Sequence, residues 1–191
     1  MILCCGEALI DMLPRETTAG EPAFAPYAGG SVFNTAIALG RLGAPAGFLS
    51  GISTDLFGRI LDETLAASKV DASLAIRSGR PTTLAFVTLT NGHAQYAFYD
   101  ENTAGRMIGV EDLPEIPADV EALFFGGISL PPDPCGATYE SLMLREAGRR
   151  VTMIDPNIRP SFITDEAGYR ARIGRMMAAA TIVKSSDEDL D

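Results

Sequence analysis

The stretch Ala28-Gly29-Gly30-Ser31-Val32-Phe33-Asn34-Thr35-Ala36, which runs on to Gly43, is the most informative part of this 191-residue sequence. Two glycines, which tolerate positive φ and allow close approach to the backbone, lead into an Ala/Leu-rich helical pattern. The sequence predicts a helix with Ser31 as its N-cap, running to about Leu42 and ending at Gly43. Helical side chains lean toward the helix N-terminus, so Asn34 should project its amide back over the glycine turn.

This glycine turn has two interpretations from the residues alone. A side-chain amide has both donors and an acceptor, which suits a polyhydroxy ligand that contacts Gly29, Gly30 and Asn34. An ordinary strand-to-helix turn with a satisfied polar residue explains the same residues equally well. A dinucleotide-binding turn fits less well, because no Gly-x-Gly-x-x-Gly motif follows the first predicted strand.

Short apolar runs alternate with helical patterns along most of the chain. Strands are predicted at residues 2–5, 46–50, 120–125, 151–154 and 181–184. Helices are predicted at residues 31–42, 55–67, 138–147 and 166–179. This alternation is typical of an α/β fold, in which a mostly parallel sheet is flanked by helices on both faces.

A β-rich segment interrupts that alternation. Residues 82–99 read as a hairpin around Asn91-Gly92, the strongest short-range hairpin signal. Residues 8–13 are predicted to be extended and to stop at Pro14, before a polar loop at 15–26. Together with residues 8–28, the hairpin is expected to form a small antiparallel sheet outside the main layer.

Composition excludes several classes of protein. The 15 Lys and Arg residues stand against 25 Asp and Glu, a formal charge of −10, with no basic run to bind nucleic acid or an anionic membrane. No apolar run approaches the ~18 residues of a membrane span, and the N-terminus lacks the basic flank of a signal peptide. Cys4, Cys5 and Cys135 fit neither a disulfide framework nor a metal site. We expect a soluble, reduced, cytoplasmic protein.

Asp11 is a carboxylate on an otherwise apolar, alternating strand, where it shares a face with Leu9 and Leu13. An unpaired buried charge is costly, so the position needs an explanation. If Asp11 lines a cleft, it can accept hydrogen bonds from two hydroxyl groups. A solvated edge position, which the following Pro14 makes credible, is somewhat favoured by the local sequence.

Two further polar segments follow predicted strands. In Asp155-Pro156-Asn157-Ile158-Arg159-Pro160, Arg159 offers a planar fork for phosphate with Asn157 beside it; a proline-rigidified surface turn is the alternative. The acidic segment after Lys184 could hold Mg²⁺ through water, or could simply cap a helix. The only histidine, His93, has no evident Ser or Cys partner, which disfavours a histidine-based nucleophile.

Together these motifs resemble the ribokinase-like (PfkB-type) sugar kinases, and within them the bacterial fructokinase branch. The matching pieces are Gly6-Glu7 with Asp11, Gly29-Gly30 with Asn34, residues 51–58, residues 155–160, and Lys184 to Leu190. Each motif alone is moderately specific, whereas five in order form a strong match. The resemblance covers nearly the whole chain, yet only about the first two-thirds of such a kinase.

The resemblance implies a ribokinase-like fold whose C-terminal part is absent. An α/β main domain would comprise residues 1–7, 29–81 and 101–191, and a β-sheet lid residues 8–28 and 82–100. It implies ATP and Mg²⁺ as cofactors, with phosphoryl transfer to the hydroxymethyl group of a sugar, fructose above all. A kinase for 2-keto-3-deoxygluconate, ribose or a nucleoside is an alternative, as is a non-catalytic sugar-binding fragment. A homodimer through the lid is a further expectation.

The resemblance also implies roles for individual residues. The substrate-binding candidates are Asp11, Gly29, Gly30, Asn34 and Phe98, although an aromatic residue such as Phe98 more often packs within a sheet. The candidates on the phosphate and nucleotide side are Asn157, Arg159 and Lys184. Asp189 would orient Mg²⁺ indirectly, through water.

The sequence departs from the family pattern at three places. Asp100 stands where many relatives carry an Arg that faces an acidic sugar, which disfavours a ketodeoxygluconate kinase. Ser186 replaces a common Asn. The signature Gly-Ala-Gly-Asp, with the catalytic base and the anion hole, does not occur in these 191 residues and is expected downstream. We therefore expect no catalytic residue in this chain and no turnover by the isolated chain. An in-frame Gly-Ala-Gly-Asp beyond Asp191 would favour the enzyme, and a stop codon the fragment.

Overall fold

The structure is a computed structural model that describes residues 1–90 and 93–189, without the side chains of residues 89, 90, 93–95 and 188. The predicted Asn91-Gly92 turn and the side chain of His93 lie outside the described residues. Within the described part of the chain, no helix combines the length and the apolar character needed to cross a lipid bilayer.

The described elements alternate as predicted through most of the chain. The strands are β1 (Ile2–Cys5), β2 (Leu9–Glu16), β3 (Pro22–Gly29), β4 (Ala46–Leu49), β5 (Gly51–Ser53), β6 (Ile76–Ser78), β7 (Leu84–Thr90), β8 (His93–Tyr99), β9 (Ala122–Gly126), β10 (Val151–Asp155) and β11 (Ile182–Val183). The helices are α1 (Ser31–Arg41), α2 (Leu56–Ala67), α3 (Cys135–Glu146) and α4 (Glu166–Ala179). Single 3₁₀ turns lie at Val110–Asp112, Gly127–Ser129, Pro160–Phe162 and Asp187–Asp189.

A five-stranded parallel sheet in the order β11-β10-β9-β1-β4 forms the main layer. Successive residues of its central strands enter opposite cores, because side chains alternate across a strand. Leu3 and Phe125 pack with Tyr139 of α3, whereas Cys4 packs with Phe33 of α1 on the other face. The predicted α/β fold, with a parallel sheet flanked by helices, is confirmed.

A second, four-stranded sheet has the order β3-β2-β7-β8 and lies outside the main layer. The pairs β2–β3 and β7–β8 are antiparallel, but β2 and β7 run parallel over Ile10–Met12. The expectation of an antiparallel sheet is therefore wrong at this one junction, where the chain returns to the sheet after α2. The strands come from the segments assigned to the lid, and the division into two domains stays a prediction.

Two details of the second sheet differ from the sequence-based expectation. Strand β2 continues through Pro14 to Glu16, and β3 begins at Pro22, inside the predicted loop. Strand β7 pairs with β2 only as far as Met12, so β2 has a free edge beyond it, where proline is tolerated. Strands β5 and β6, a short parallel pair, were not predicted.

Asp55 is the N-cap of helix α2, and its carboxylate also contacts the segment that leads into the second sheet. The carboxylate accepts hydrogen bonds from the Gly58 amide at 2.8 Å and from the Thr82 amide and hydroxyl at 2.9 and 2.7 Å. Burial raises the pKa of Asp55, but these hydrogen bonds outweigh burial and leave the pKa lowered. Asp55 is therefore an ionised N-cap that also fixes the start of the hairpin segment.

We expect Asp55→Ala to lower the free energy of unfolding by about 1–2 kcal/mol at neutral pH, the usual loss for an N-cap. The pKa of Asp55 is lower in the folded protein than in the unfolded chain. The stabilisation is therefore present above the unfolded-state pKa and is lost as the pH falls through the folded-state pKa. Urea unfolding at neutral and acidic pH measures the difference. Asp62→Ala, which removes the exposed ion pair with Arg77, is the control and should cost less. An equal loss in the two variants would contradict the capping role.

Candidate functional site

One face of the second sheet is directed at the carboxyl ends of the main-sheet strands. Asp11 pairs in register with Ala85, and Ala85 with Phe98, so these three side chains share that face. Ala85 and Phe98 belong to a small apolar cluster with Ile128, from the turn after β9, and Phe162, from the turn after β10. The candidate site is the region between this face and those turns.

Asp11 and the glycine turn, both substrate-binding candidates from the sequence, lie against each other. A side chain at Gly29 would overlap the Asp11 carboxylate, so only glycine permits this close approach. Gly30 adopts φ 111° and ψ 140°, a conformation that residues with a side chain rarely adopt. The carboxyl group of Asp11 is partly buried, and this burial raises its pKa.

Helix α1 starts at the glycine turn, but Ser31 is not its N-cap. The N-cap is Gly30, which has no side chain to cap with, so the predicted role of Ser31 is wrong. The Glu7 carboxylate supplies the cap from the end of β1: its Oε1 accepts from the Ser31 amide and hydroxyl, each at 2.7 Å, and from the Val32 amide at 3.3 Å. Sequence reasoning missed this contact because 24 residues separate the partners.

Asn34 lies in the first turn of α1 and is exposed. Its backbone amide donates to the Gly30 carbonyl at 2.8 Å, which fixes the turn from which its side chain projects. The helix direction tilts that side chain toward the glycine turn. Asp11, Gly29, Gly30 and Asn34 are therefore neighbours in the structure; their predicted role in binding substrate stays a prediction.

Phe98 contacts the loop that follows β10. Its ring meets the Phe162 ring at a centroid distance of 4.7 Å and an interplanar angle of 72°, an edge-to-face arrangement, and stacks on Tyr96 at 5.9 Å. Phe162 was not singled out from the sequence, which gives no signal for a contact between segments so far apart. Phe98 thus packs in an apolar cluster on the same face of the second sheet as Asp11.

The predicted phosphate-side residues follow β10 and β11 at the same edge of the main sheet. Asn157 has φ 44°, and the exposed Arg159 folds its guanidinium back to donate to the Ile158 carbonyl at 2.8 Å. Lys184 is exposed, and its Nζ lies 2.9 Å from an Asp155 carboxylate oxygen. The hydrogen bond with Asp155 raises the pKa of Lys184, so its positive charge is secure at neutral pH. These side chains form a patch of mixed charge beside the turn that carries Phe162.

Asp189 braces the two loops at this edge. Its Oδ1 accepts from the Ile158 amide at 2.7 Å, and its Oδ2 accepts from the Ser186 amide at 2.8 Å and hydroxyl at 2.9 Å. Burial raises the pKa of Asp189, but these hydrogen bonds outweigh burial and lower it. Within residues 1–90 and 93–189, no three His, Cys, Asp or Glu side chains are grouped as metal ligands. Three hydrogen bonds leave about one of the four lone-pair sites of the ionised Asp189, and no ligand group of that kind surrounds it among the described residues, so it fits contact with a metal through water better than direct ligation.

Asp100 is held in a hydrogen-bonded cluster that the sequence did not predict. One carboxylate oxygen accepts from the hydroxyls of Thr83 and Thr103 at 2.9 and 3.2 Å, and the other lies 3.4 Å from Arg106. Burial raises the pKa of Asp100, whereas these partners act to lower it. The departure of Asp100 from the family pattern was the only sequence signal for this cluster.

A separate open concavity lies at the amino ends of β9 and β10, lined by residues that include Val120, Arg149, Val151 and Thr181. None of the predicted site residues borders it. Ligands of open parallel sheets bind at the carboxyl ends of the strands, where Asp11, Asn34 and Arg159 lie. The carboxyl-end region is therefore the candidate site.

The parallel sheet, the second sheet over its carboxyl edge and the glycine turn define a ribokinase-like protein. The model of the pfkB family of carbohydrate kinases matches residues 1–191. The chain therefore belongs to the pfkB family.

Known relatives agree with this assignment. The chain is 65% identical over 191 residues to a fructokinase of Rhizobium leguminosarum bv. trifolii, a match that covers 100% of this chain and 59% of that protein. It is 34% identical over 201 residues to fructokinase-1 of Zea mays, with 100% of this chain and 61% of that protein covered. The chain thus spans about three-fifths of the length of these curated relatives.

A solved structure shares the fold. The crystal structure of a fructokinase from Xylella fastidiosa matches with a TM-score of 0.91 and 30% identity, covering 100% of this chain and 60% of that one. The same Xylella enzyme with bound ATP matches with a TM-score of 0.90 and 62% of its chain covered.

Proposed function

We propose that the protein containing these residues is an ATP-dependent sugar kinase that phosphorylates the hydroxymethyl group of fructose. One observation carries the proposal: the Asp11 carboxylate lies against Gly29, beside the Gly30 N-cap and the first turn of α1. This arrangement presents an acidic acceptor, the partly exposed Gly30 backbone and the Asn34 amide to one ligand. The 65% identity to a fructokinase supports fructose as the sugar.

In the proposed mechanism, this chain binds and orients the sugar. Asp11 accepts hydrogen bonds from two sugar hydroxyls, and Asn34 donates and accepts with its amide. Gly29 and Gly30 let the turn approach Asp11 and Glu7 closely, which brings these groups to one ligand. Phe98 closes the apolar side. Holding the reacting hydroxyl in one place is a large part of catalysis in phosphoryl transfer, where positioning and charge stabilisation dominate.

The phosphate side of the proposed mechanism lies at Arg159 and Lys184. Their positive charges suit phosphate oxygens, and Asn157 supports the loop that carries Arg159. Asp189 would hold a bound metal through water, without ligating it directly. When bound, Mg²⁺–ATP would supply the phosphoryl group and neutralise the charge that develops on it.

A substrate panel tests the function. The protein from the whole reading frame that contains residues 1–191 is assayed with ATP, Mg²⁺ and fructose, 2-keto-3-deoxygluconate, ribose or adenosine. We expect fructose to have the highest kcat/KM. Asp100 compensates the charge of Arg106, which disfavours an acidic sugar such as 2-keto-3-deoxygluconate. A preference for adenosine would overturn the sugar-kinase proposal.

The same assay on residues 1–191 alone separates sugar binding from turnover. We propose that this segment carries the sugar-binding residues Asp11, Gly29, Gly30 and Asn34 but not the catalytic base. It should therefore not phosphorylate any member of the panel. Calorimetric titration with fructose measures whether binding survives without turnover. Turnover at the rate of the longer protein would contradict the assignment of the base to residues outside this segment.

We also propose that a second copy of the chain covers the outer face of the second sheet. Three rings lie on the face opposite Asp11: Phe24 and Phe86 at 5.0 Å, and Phe86 and Tyr99 at 5.5 Å. Phe24 and Tyr99 are 43% and 63% exposed, so the group is an apolar patch on a sheet with open edges. Association through this patch would give the lid-to-lid homodimer expected from the family.

Light scattering after size exclusion tests the dimer. We expect the parent protein to be a dimer and the double variant Phe24→Ser with Tyr99→Ser to be a monomer, because polar side chains remove the apolar contact. Leu42→Ser is the control, since Leu42 is 84% exposed after α1 and away from the patch. A monomeric parent, or a dimer that survives the double change, would contradict the proposed interface.

Finally, we place the protein in the cytoplasm. Cys4, Cys5 and Cys135 are free and buried, as in a protein kept under reducing conditions. Burial raises the pKa of both Cys4 and Cys135 to about 12, so these thiols stay protonated and unreactive. The net charge of −10 supports a small-molecule substrate without nucleic-acid or membrane partners.

A further inference from the structure

Glu7 is a buried carboxylate behind the candidate site, and the proposed mechanism gives it no role. It follows β1 in the short link to β2, and only 7% of its surface is exposed. Burying a carboxylate is costly unless hydrogen bonds compensate it. Its partners therefore show what the protein gains from placing a charge there.

One oxygen of Glu7 organises the start of α1. Oε1 accepts three hydrogen bonds, from the Ser31 amide, the Ser31 hydroxyl and the Val32 amide. These amides are among the unpaired donors of a helix N-terminus, where a negative charge is also favoured by the helix dipole. No residue within the turn can do this, because the N-cap is Gly30.

The rest of Glu7 links that helix to the turn after β9. Oε2 accepts from the Ser129 hydroxyl at 3.4 Å, and a side chain at Gly127, which has φ 70°, would overlap the carboxylate. The backbone carbonyl of Glu7 lies against Gly30, where an added Cβ would stand 2.9 Å away. Glu7 therefore contacts the α1 N-terminus and the β9 turn at once.

We infer that Glu7 is a positioning residue that sets where Gly30 and Asn34 stand relative to Asp11. Asn34 is one helical turn from the capped amides, and its own amide bonds to the Gly30 carbonyl, so a shift of the cap moves both. Pairing of β2 with β3 fixes Gly29 relative to Asp11, but that pairing ends at Gly29. The distance between Asp11 and Asn34 therefore depends on how firmly the start of α1 is anchored. Glu7 is not among the residues proposed to bind the sugar; it contacts the helix start and the β9 turn that borders the candidate site, and it acts through the helix start.

The test compares Glu7→Gln and Glu7→Ala in the full-length protein. Glutamine keeps the shape and an acceptor but loses the charge, whereas alanine loses both. The kinetic part rests on the proposed function. We expect the KM for fructose to rise about tenfold in Glu7→Gln, since misplacing a binding group by ~1 Å can cost up to ~100-fold. The KM for ATP should not change. Glu7→Ala should be worse, so that glutamine is a partial rescue.

Asp165→Asn is the matched control, because Asp165 caps α4 through the Gly168 amide at 3.0 Å and is not among the residues proposed to bind sugar or phosphate. A purely structural role for Glu7 would lower the amount of active enzyme, and hence Vmax, with both KM values unchanged, as expected for Asp165→Asn. Unchanged fructose KM in Glu7→Gln would therefore overturn the inference.

Amide hydrogen exchange makes the inference independent of the proposed function. In Glu7→Gln, the amides of Ser31, Val32 and Asn34 should exchange faster than in the parent, while α4 keeps its protection. If the parent phosphorylates no sugar, the function fails, and exchange alone decides the role of Glu7. If the amides at the start of α1 are as well protected in Glu7→Gln as in the parent, the inference about Glu7 is overturned.

Discussion

Replacing Asp11 by alanine should lower kcat/KM for fructose by at least ~100-fold, the largest loss from any side chain proposed to bind the sugar. Asp11 is proposed to accept two hydroxyl hydrogen bonds, and hydrogen bonds to a charged group contribute ~1.5–3 kcal/mol each. The loss should appear in fructose affinity and leave the KM for ATP unchanged. Steady-state kinetics on the full-length protein and titration of fructose measure both.

The same change should not destabilise the fold. Burial raises the pKa of Asp11 in the folded protein, so the ionised carboxylate costs stability once the pH rises through that folded-state value. Asp11→Ala should therefore unfold in urea at an equal or higher concentration at neutral pH. Glu16→Ala, at the exposed end of the same strand, is the control and should change neither property. A loss of stability without a loss of affinity would make Asp11 a structural residue and contradict its role.

The main sheet was predictable because its strands are buried on both faces. Leu3 and Cys4 enter opposite cores, so β1 is a continuous apolar run rather than an alternating one. Helix α4 was predicted with its observed bounds, Glu166–Ala179, and Asp165 caps its start in the structure. Strand β3 was missed because prolines at 22 and 26 look like loop residues, and only pairing with β2 makes the segment extended.

The site was predictable where one segment carries the signal. Gly30 and Asn34 lie four residues apart, so helix geometry alone brings them together. The Glu7 cap joins residues 24 positions apart, and Phe98 meets Phe162 across 64 positions; single-sequence periodicity carries no information on such contacts. Ser31 is an example: its residue type and position fit an N-cap, but in the folded protein the Glu7 carboxylate caps the helix.

Gly30→Ala should be the most damaging single substitution at the glycine turn. The backbone at Gly30 has φ 111°, which costs a residue with a side chain about 1–3 kcal/mol. In addition, the new Cβ would stand 2.9 Å from the Glu7 carbonyl oxygen, closer than such atoms pack. We expect a loss of about 2–4 kcal/mol in the free energy of unfolding, measured in urea. The KM for fructose should rise as well, because the turn carries the start of α1.

Gly43→Ala separates the two causes of that loss. Gly43 also has positive φ, 85°, but an added Cβ there would meet nothing within 4 Å. It should therefore cost only the backbone term, about 1 kcal/mol, and leave the KM for fructose unchanged. The excess loss in Gly30→Ala then measures the contact with Glu7 together with the greater backbone strain at Gly30. Relief of that contact should shift the glycine turn away from Asp11. Equal losses of unfolding free energy in the two alanine variants would contradict this. They would mean that the contact between Gly30 and Glu7 does not determine the position of the glycine turn.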